Sequence, residues 1–304
     1  MGFEENISKW LRAPKQLGKS AFDLAIVRLL LLAGVIRSLQ LGWVALITRA
    51  LNARVSDLFS EPFFALLPWL LAAIVTAFMA YWLGVRLMEQ RLVTELGCSG
   101  AARYLTLGVI GGFVLFGAVV CSLWARGRVT YEGYAGWTGL PSTTLLFAAG
   151  VTFEELIYRG AIFRVMEESL GTTIALALSA LIFGLSHLAN NAATLASALS
   201  IAVTGGIAFA LSYTLTRSLW LPIGLHFGWN FTQGAVFGAA VSGYPLHGAF
   251  RFTLSGPTLV TGGAFGPEAS IYTTVLGIFF ALGLAGLAHQ RSLWAPLRLR
   301  LRLP

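Results

Sequence analysis

The feature that most constrains this chain is a series of about eight long apolar stretches. They fall at about residues 27–48, 62–86, 105–125, 140–164, 172–192, 194–216, 218–240 and 271–289. A helix needs about 20 apolar residues to cross the hydrocarbon core of a bilayer, and each stretch is close to that length. Only 11% of the residues are charged, whereas a soluble domain carries about 25%. We therefore predict an all-α, polytopic integral membrane protein with about eight transmembrane helices.

The residues before the first stretch differ from the rest. Residues 1–26 set lysine and arginine among apolar side chains, which predicts a basic amphipathic segment on the anionic inner surface of a membrane. Residues 27–304 are predicted to form a single transmembrane helical domain with a motif-bearing core at 140–240. Two cysteines that form no CxxC pair indicate neither a disulfide framework nor a thiolate metal site.

The distribution of basic residues predicts the topology. If the apolar stretches are taken as eight spans, most of the 21 lysines and arginines fall on the side of the N-terminus. The positive-inside rule then places both termini in the cytoplasm. We expect a multi-pass protein of the cytoplasmic membrane of a prokaryote. The net charge of +8 then reflects topology, and no nucleic-acid partner is expected.

The fourth apolar stretch contains charges that a membrane span normally lacks. An ionisable side chain at mid-span costs about 2.5–3.5 kcal/mol on insertion scales, so it needs a partner or a reaction. Glu155 and Arg159 are four residues apart with the acid first, which is the favourable order for an ion pair on a helix. Glu154 points about 100° away from Glu155. We expect Glu155 and Arg159 to neutralise each other, which leaves Glu154 free, although the pair would equally suit a purely structural role.

Histidines supply the other polar groups of the spans. His187 lies in the fifth span, and His226 lies in the seventh with Asn230 four residues later on the same helix face. Together with Glu154 they form a set on three helices that is able to converge in one polar catalytic cavity in the bundle. Helical rise places Glu154 and His226 near mid-bilayer and His187 nearer one face, so convergence is allowed but not required.

The remaining unusual polar residues have simpler expectations. His247 and His289 are expected to be loop and interface residues. Arg37 is expected to snorkel or to mark a misplaced span boundary. The stretch 255–270, rich in glycine and proline, is expected to be an ordered loop or re-entrant turn with Glu268 in solvent.

The residue types narrow the possible chemistry. A zinc protease of the HExxH type and a paired-aspartate protease both lack their residues in the spans. A Ser186–His226 protease would leave Glu154, Asn230 and Arg159 without a role. A carboxylate acting as general base uses the whole set: Glu154 takes the proton of a water that His187 holds, and His226 and Asn230 donate to the oxyanion. No cofactor is required in this reading. In a variant, Glu154, His187 and His226 hold one divalent metal ion such as Zn²⁺ with an open fourth position.

Three strings carry a family resemblance. Glu154 to Arg159 matches EExxxR, Phe183 to His187 matches FxxxH, and His226 to Asn230 matches HxxxN. In this order and on three apolar spans, they resemble the CPBP family, which comprises type II CAAX prenyl endopeptidases and bacteriocin-processing or immunity (Abi) proteins.

The resemblance implies an α-helical intramembrane endopeptidase. In it, Glu154 and His187 activate water, His226 and Asn230 form the oxyanion site, and Glu155 and Arg159 support them. Members of the family are described both as metalloproteases and as glutamate proteases, so the resemblance leaves the metal open.

The expected function is cleavage of a membrane-associated peptide or protein, of CAAX or bacteriocin-processing type, with the bilayer as the other partner. Two alternatives come from other classes of protein. One is a non-catalytic immunity or partner-binding membrane protein. The other is a proton-coupled transporter that uses Glu154, against which the sequence lacks an evident inverted repeat.

Overall fold

The computed structural model describes residues 21–297, with side chains from residue 25 onward. The predicted interfacial segment 1–26 lies almost entirely outside the described residues. The α-helices of this part of the chain are α1 (Ala21–Ala50), α2 (Phe63–Gly84), α3 (Ala101–Ala125), α4 (Leu140–Glu155), α5 (Arg164–Leu170), α6 (Thr172–Ser186), α7 (Leu195–Ile201), α8 (Ala208–Thr216), α9 (Trp220–Asn230), α10 (Thr258–Thr261) and α11 (Ile271–Gln290). Strands β1 (Val129–Tyr134) and β2 (Phe250–Leu254) form one small antiparallel sheet.

The helices occupy the predicted apolar stretches, and the prediction of an all-α membrane protein is confirmed. Within the described residues, six helical segments are long and apolar enough to cross a membrane. They are Ala25–Ala50, Phe63–Glu89, Ala101–Ala125, Thr172–Ala189, Leu195–Thr216 and Ile271–Gln290. The two predicted spans that fall outside this group, 140–164 and 218–240, are the ones that carry EExxxR and HxxxN. Two of the three motifs therefore lie on helices that are poorly suited to face lipid, whereas FxxxH lies in the candidate span Thr172–Ala189.

Segments of π-helix interrupt several of the long helices. Leu156–Phe163 joins α4 to α5, Ala202–Ile207 joins α7 to α8, and Phe231–Val236 extends α9. Such segments are rare and frequently lie at functional sites. Two of them begin directly after Glu155 and Asn230, and the first contains Arg159, so the wider turns lie at the motif residues.

Helices α3 and α9 are in contact through their backbones. Gly108 and Gly112 of α3 face Gly224 and Gly228 of α9, four residues apart on each helix. A Cβ atom added to Gly108 would lie 2.5 Å from the carbonyl oxygen of Leu221. Small residues at this spacing allow close helix packing in membranes. The contact fixes the position of α9, which carries His226 and Asn230.

Replacing Gly112 by alanine is therefore expected to destabilise the protein. The added methyl group would overlap the backbone of α9 near Leu225, and overpacking of this kind costs about 1–3 kcal/mol. Thermal unfolding in detergent measures the effect. Gly117→Ala on the same helix is the matched control, since no described atom lies within 4 Å of its added Cβ. Equal melting temperatures for the two variants would contradict the packing argument.

A buried ionic cluster holds the end of α2 against α5. Arg164 donates to Glu89 at 2.5 Å and Arg91 to Glu95 at 2.6 Å. Tyr81 donates to Glu95 at 2.5 Å. Although burial opposes it, hydrogen bonds from Arg91 and Tyr81 hold the pKa of Glu95 below its usual value. The cluster satisfies these charges among themselves, away from the motif residues.

Candidate active site

Arg159 and Glu155 are the most enclosed charged groups among the motif residues. Arg159 is 1% exposed and its partner Glu155 is fully buried. Arg159 donates from Nη1 to Oε1 of Glu155 at 2.8 Å and from Nη2 to the carbonyl oxygen of Gly205 at 2.8 Å. The expected pair therefore forms. It also ties α4 to the π-helical segment Ala202–Ile207, because a guanidinium has donors left over after one carboxylate.

Phe183 explains the first position of FxxxH. Its carbonyl oxygen lies 2.8 Å from Nδ1 of His187, and its ring lies 4.3 Å below the guanidinium carbon of Arg159. A carbonyl oxygen only accepts, so Nδ1 of His187 carries the ring proton and Nε2 is free to accept a hydrogen bond. Phe183 thus fixes the tautomer of His187 through its carbonyl oxygen and packs its ring against the guanidinium of Arg159.

His226 is bound to the second glutamate of the motif. Its Nδ1 lies 2.8 Å from Oε1 of Glu155, the same oxygen that accepts from Arg159. The ring stacks on Phe209 with centroids 4.9 Å apart. Since the carboxylate accepts from Nδ1, the remaining nitrogen, Nε2, is the one directed at Glu154, 3.9 Å from its Oε2.

Glu154 is left without a close partner, as expected from the sequence. Its side chain is 26% exposed, and its Oε2 atom is buried without a hydrogen-bond partner among the described residues. A buried polar atom of this kind calls for an explanation, and a bound water or a catalytic role is a common one. Glu154 is therefore the free carboxylate of the motif.

Two cavities meet at the site. The larger, of about 430 Å³, is lined by Glu154, Tyr158 and Ser186 together with residues of α1. The smaller, of about 50 Å³, is lined by His226, Phe209 and residues of α11. His187, Asn230 and Ser242 line both cavities. The structure thus brings Glu154, His187, His226 and Asn230 around one shared wall, whereas His247 and His289 lie exposed elsewhere.

Two residues that the sequence analysis set aside also line these cavities. Glu268 was expected in solvent, which is wrong: it is 5% exposed and accepts from the backbone N–H of Ser242 at 2.5 Å. Burial raises the pKa of its carboxyl to about 7. Glu268 lies in a glycine-rich connection that folds back against α7 through Ser200, a contact that no local pattern indicates.

Arg37 is the second of these residues, and it lines the larger cavity with Glu154.

The alternative metal set can be tested against this geometry. Within residues 21–297, no group of three or more histidine, cysteine, aspartate or glutamate side chains is arranged to hold a metal ion. Nδ1 of each site histidine is engaged, one by a carbonyl and one by Glu155, which leaves Nε2 of each ring free, as is usual for histidines that ligate a metal. The donor atoms are of a kind that suits a divalent ion, and the metal variant stays a prediction.

Comparison with known proteins identifies the segment that contains the site. Residues 136–232 match the family described as type II CAAX prenyl endopeptidase Rce1-like. No curated protein and no solved structure matches the chain. The matched segment runs from just before α4 to just after α9 and includes all three motifs. The resemblance drawn from the motifs is therefore confirmed, as a likeness of residues 136–232 to the Rce1-like type II CAAX prenyl endopeptidases.

Proposed function

We propose that the protein is an intramembrane endopeptidase in which Glu154 is the general base for a water molecule. The observation that carries the proposal is the difference in environment between the two adjacent glutamates. Glu155 is fully buried and paired with Arg159 and His226, whereas Glu154 lines an open cavity with an unpartnered oxygen. Neighbouring carboxylates in different environments often take different roles in catalysis.

In the first step, water attacks the carbonyl carbon of the scissile peptide bond. Nε2 of His187 accepts one hydrogen bond from this water, because the Nδ1 proton is held by Phe183. Glu154 accepts the other proton as the new C–O bond forms. When the C–N bond breaks, the same proton passes from Glu154 to the leaving amine, so the carboxylate is regenerated.

The negative charge that develops on the carbonyl oxygen needs donors. Asn230 lines both cavities and carries an amide N–H₂ that suits this role. His226 donates through Nε2 only if its ring carries both protons. Glu155 supports that form, since its carboxylate already accepts from Nδ1. Such donors typically contribute about 10²–10³ in rate each.

The assay that tests the proposal is peptide cleavage by the purified protein in detergent. A library of lipidated and unlipidated peptides should yield internal cleavage products, and activity should persist in the presence of a chelator. Loss of all activity in chelator, with recovery on adding Zn²⁺, would contradict the metal-free form of the mechanism.

His187→Ala is expected to abolish this cleavage, because it removes the acceptor that positions the water. His247→Ala is the matched control, since that histidine is exposed in a loop away from both cavities. Product formation measured by mass spectrometry should vanish in the first variant and persist in the second. Normal cleavage by His187→Ala would rule out the role given to it.

A further inference from the structure

Arg37 carries a charge at a position where a membrane helix should not have one. It lies near the middle of the span Ala25–Ala50, and its guanidinium donates from Nη1 to Oε1 of Gln40 at 2.7 Å. Among the side chains that the structure describes, none of the ion pairs includes Arg37. A cation at this depth is normally paired or marks a substrate path.

The surroundings of Arg37 indicate a path for substrate. Arg37 and Gln40 line the same 430 Å³ cavity as Glu154 and His187. Cavities of about 300–1,000 Å³ are the usual size for ligand sites. Apart from Glu154, the cavity lining contains no carboxylate in the described part of the chain. The arginine therefore shares with the reacting centre a space that has the size of a ligand site.

Arginine favours one class of anion. Its planar guanidinium presents a fixed fork of N–H donors that matches a carboxylate in two parallel hydrogen bonds. Gln40 occupies Nη1 through its amide oxygen, which orients the fork and leaves other N–H groups available. The amide of Gln40 is neutral, so it does not compensate the positive charge of Arg37. A carboxylate that enters the cavity would therefore meet a guanidinium that is already oriented and still carries its full charge.

We propose that Arg37 binds a carboxylate of the peptide substrate within the cavity that Glu154 lines, and so selects peptides with an anionic group close to the bond that is cut. This inference rests on the proposed endopeptidase activity. The carboxylate is either the C-terminus of the peptide or an acidic side chain. Arg37 is a specificity residue in this proposal, since it takes no part in the bond-breaking step.

Three versions of one cleavable peptide separate the possibilities. The first ends in a free carboxylate, the second in a carboxamide, and the third in a carboxamide with one glutamine near that end replaced by glutamate. The enzymes compared are the wild type, Arg37→Gln, Arg37→Lys and the control Arg49→Gln. Arg49 is exposed in the last turn of the same helix and lines neither cavity.

The wild type is expected to cleave at least one anionic peptide with a kcat/KM about 10- to 100-fold above that for the neutral peptide. A ratio of this size corresponds to the contribution of one hydrogen bond to a charged group. Arg37→Gln should abolish this preference, whereas Arg49→Gln should keep it. Arg37→Lys, which retains the charge but not the fork, should fall between them. Preference for the first or the third peptide identifies the source of the carboxylate.

Two outcomes would overturn the inference. One is equal cleavage of all three peptides by the wild type. The other is an equal loss on all three in Arg37→Gln, which would mean that Arg37 acts on Glu154 and not on the substrate. In both cases the endopeptidase activity itself would stand. Cleavage of none of the peptides by the wild type would instead contradict the proposed function and the inference together.

Discussion

Replacing Glu154 by glutamine is expected to lower kcat for peptide cleavage by about 10²–10⁴-fold, the usual contribution of a general base. Glutamine preserves the size of the side chain and its place in the 430 Å³ cavity but is unable to take a proton from water. KM should change little, since the side chain is assigned to the water and not to the peptide.

The control for this experiment is Glu132→Gln, which changes an exposed carboxylate in β1. Both variants remove one negative charge, and only the first should lose activity. Full activity in Glu154→Gln would refute the general-base mechanism. Peptide-independent, pH-coupled flux in proteoliposomes that disappears in Glu154→Gln would favour a transporter instead.

Replacing Arg159 by methionine is expected to destabilise the protein by about 3–5 kcal/mol, because breaking a buried ion pair leaves an uncompensated charge. Glu155 would remain fully buried with only His226 as a partner. The contact to the carbonyl oxygen of Gly205 would also be lost. Unfolding in mixed micelles measures the free energy change. Arg126→Met, at an exposed arginine, should change it by less than about 0.5 kcal/mol.

A double variant separates stability from catalysis. Arg159→Met combined with Glu155→Leu removes both charges, and such replacements are often neutral or stabilising relative to the broken pair. We expect part of the lost stability to return. Activity should not return, because Nδ1 of His226 would lose its acceptor. Recovery of activity together with stability would mean that the pair serves folding alone.

The sequence was sufficient to predict the helices and the pairing of Glu155 with Arg159. Helical periodicity relates residues that are four apart, so it also indicates that Glu154 and Glu155 point in different directions. It further places His226 and Asn230 on one face of α9. These are local relations, and the distances in the structure agree with them.

Contacts between helices could not be predicted in this way. The bond from His226 to Glu155 joins two spans that are 71 positions apart, and no periodicity links them. Glu268 is buried because its connection packs back against α7, although glycine and proline around it are typical of an exposed turn. The sequence predicts that Arg37 snorkels or marks a misplaced span boundary, because hydropathy along the chain contains no information about a cavity on one side of α1.

The glycine contact between α3 and α9 also has a consequence for redesign of the specificity. His226 and Asn230 sit on a helix that contacts α3 through its backbone at the glycines, so the helix has little room to shift toward a new ligand shape. Helix α1 faces the same cavity with Arg37, Gln40, Leu41 and Val44, and much of its other surface is exposed. In a directed-evolution experiment for new peptide substrates, accepted changes should therefore accumulate on α1 and be rare on α9.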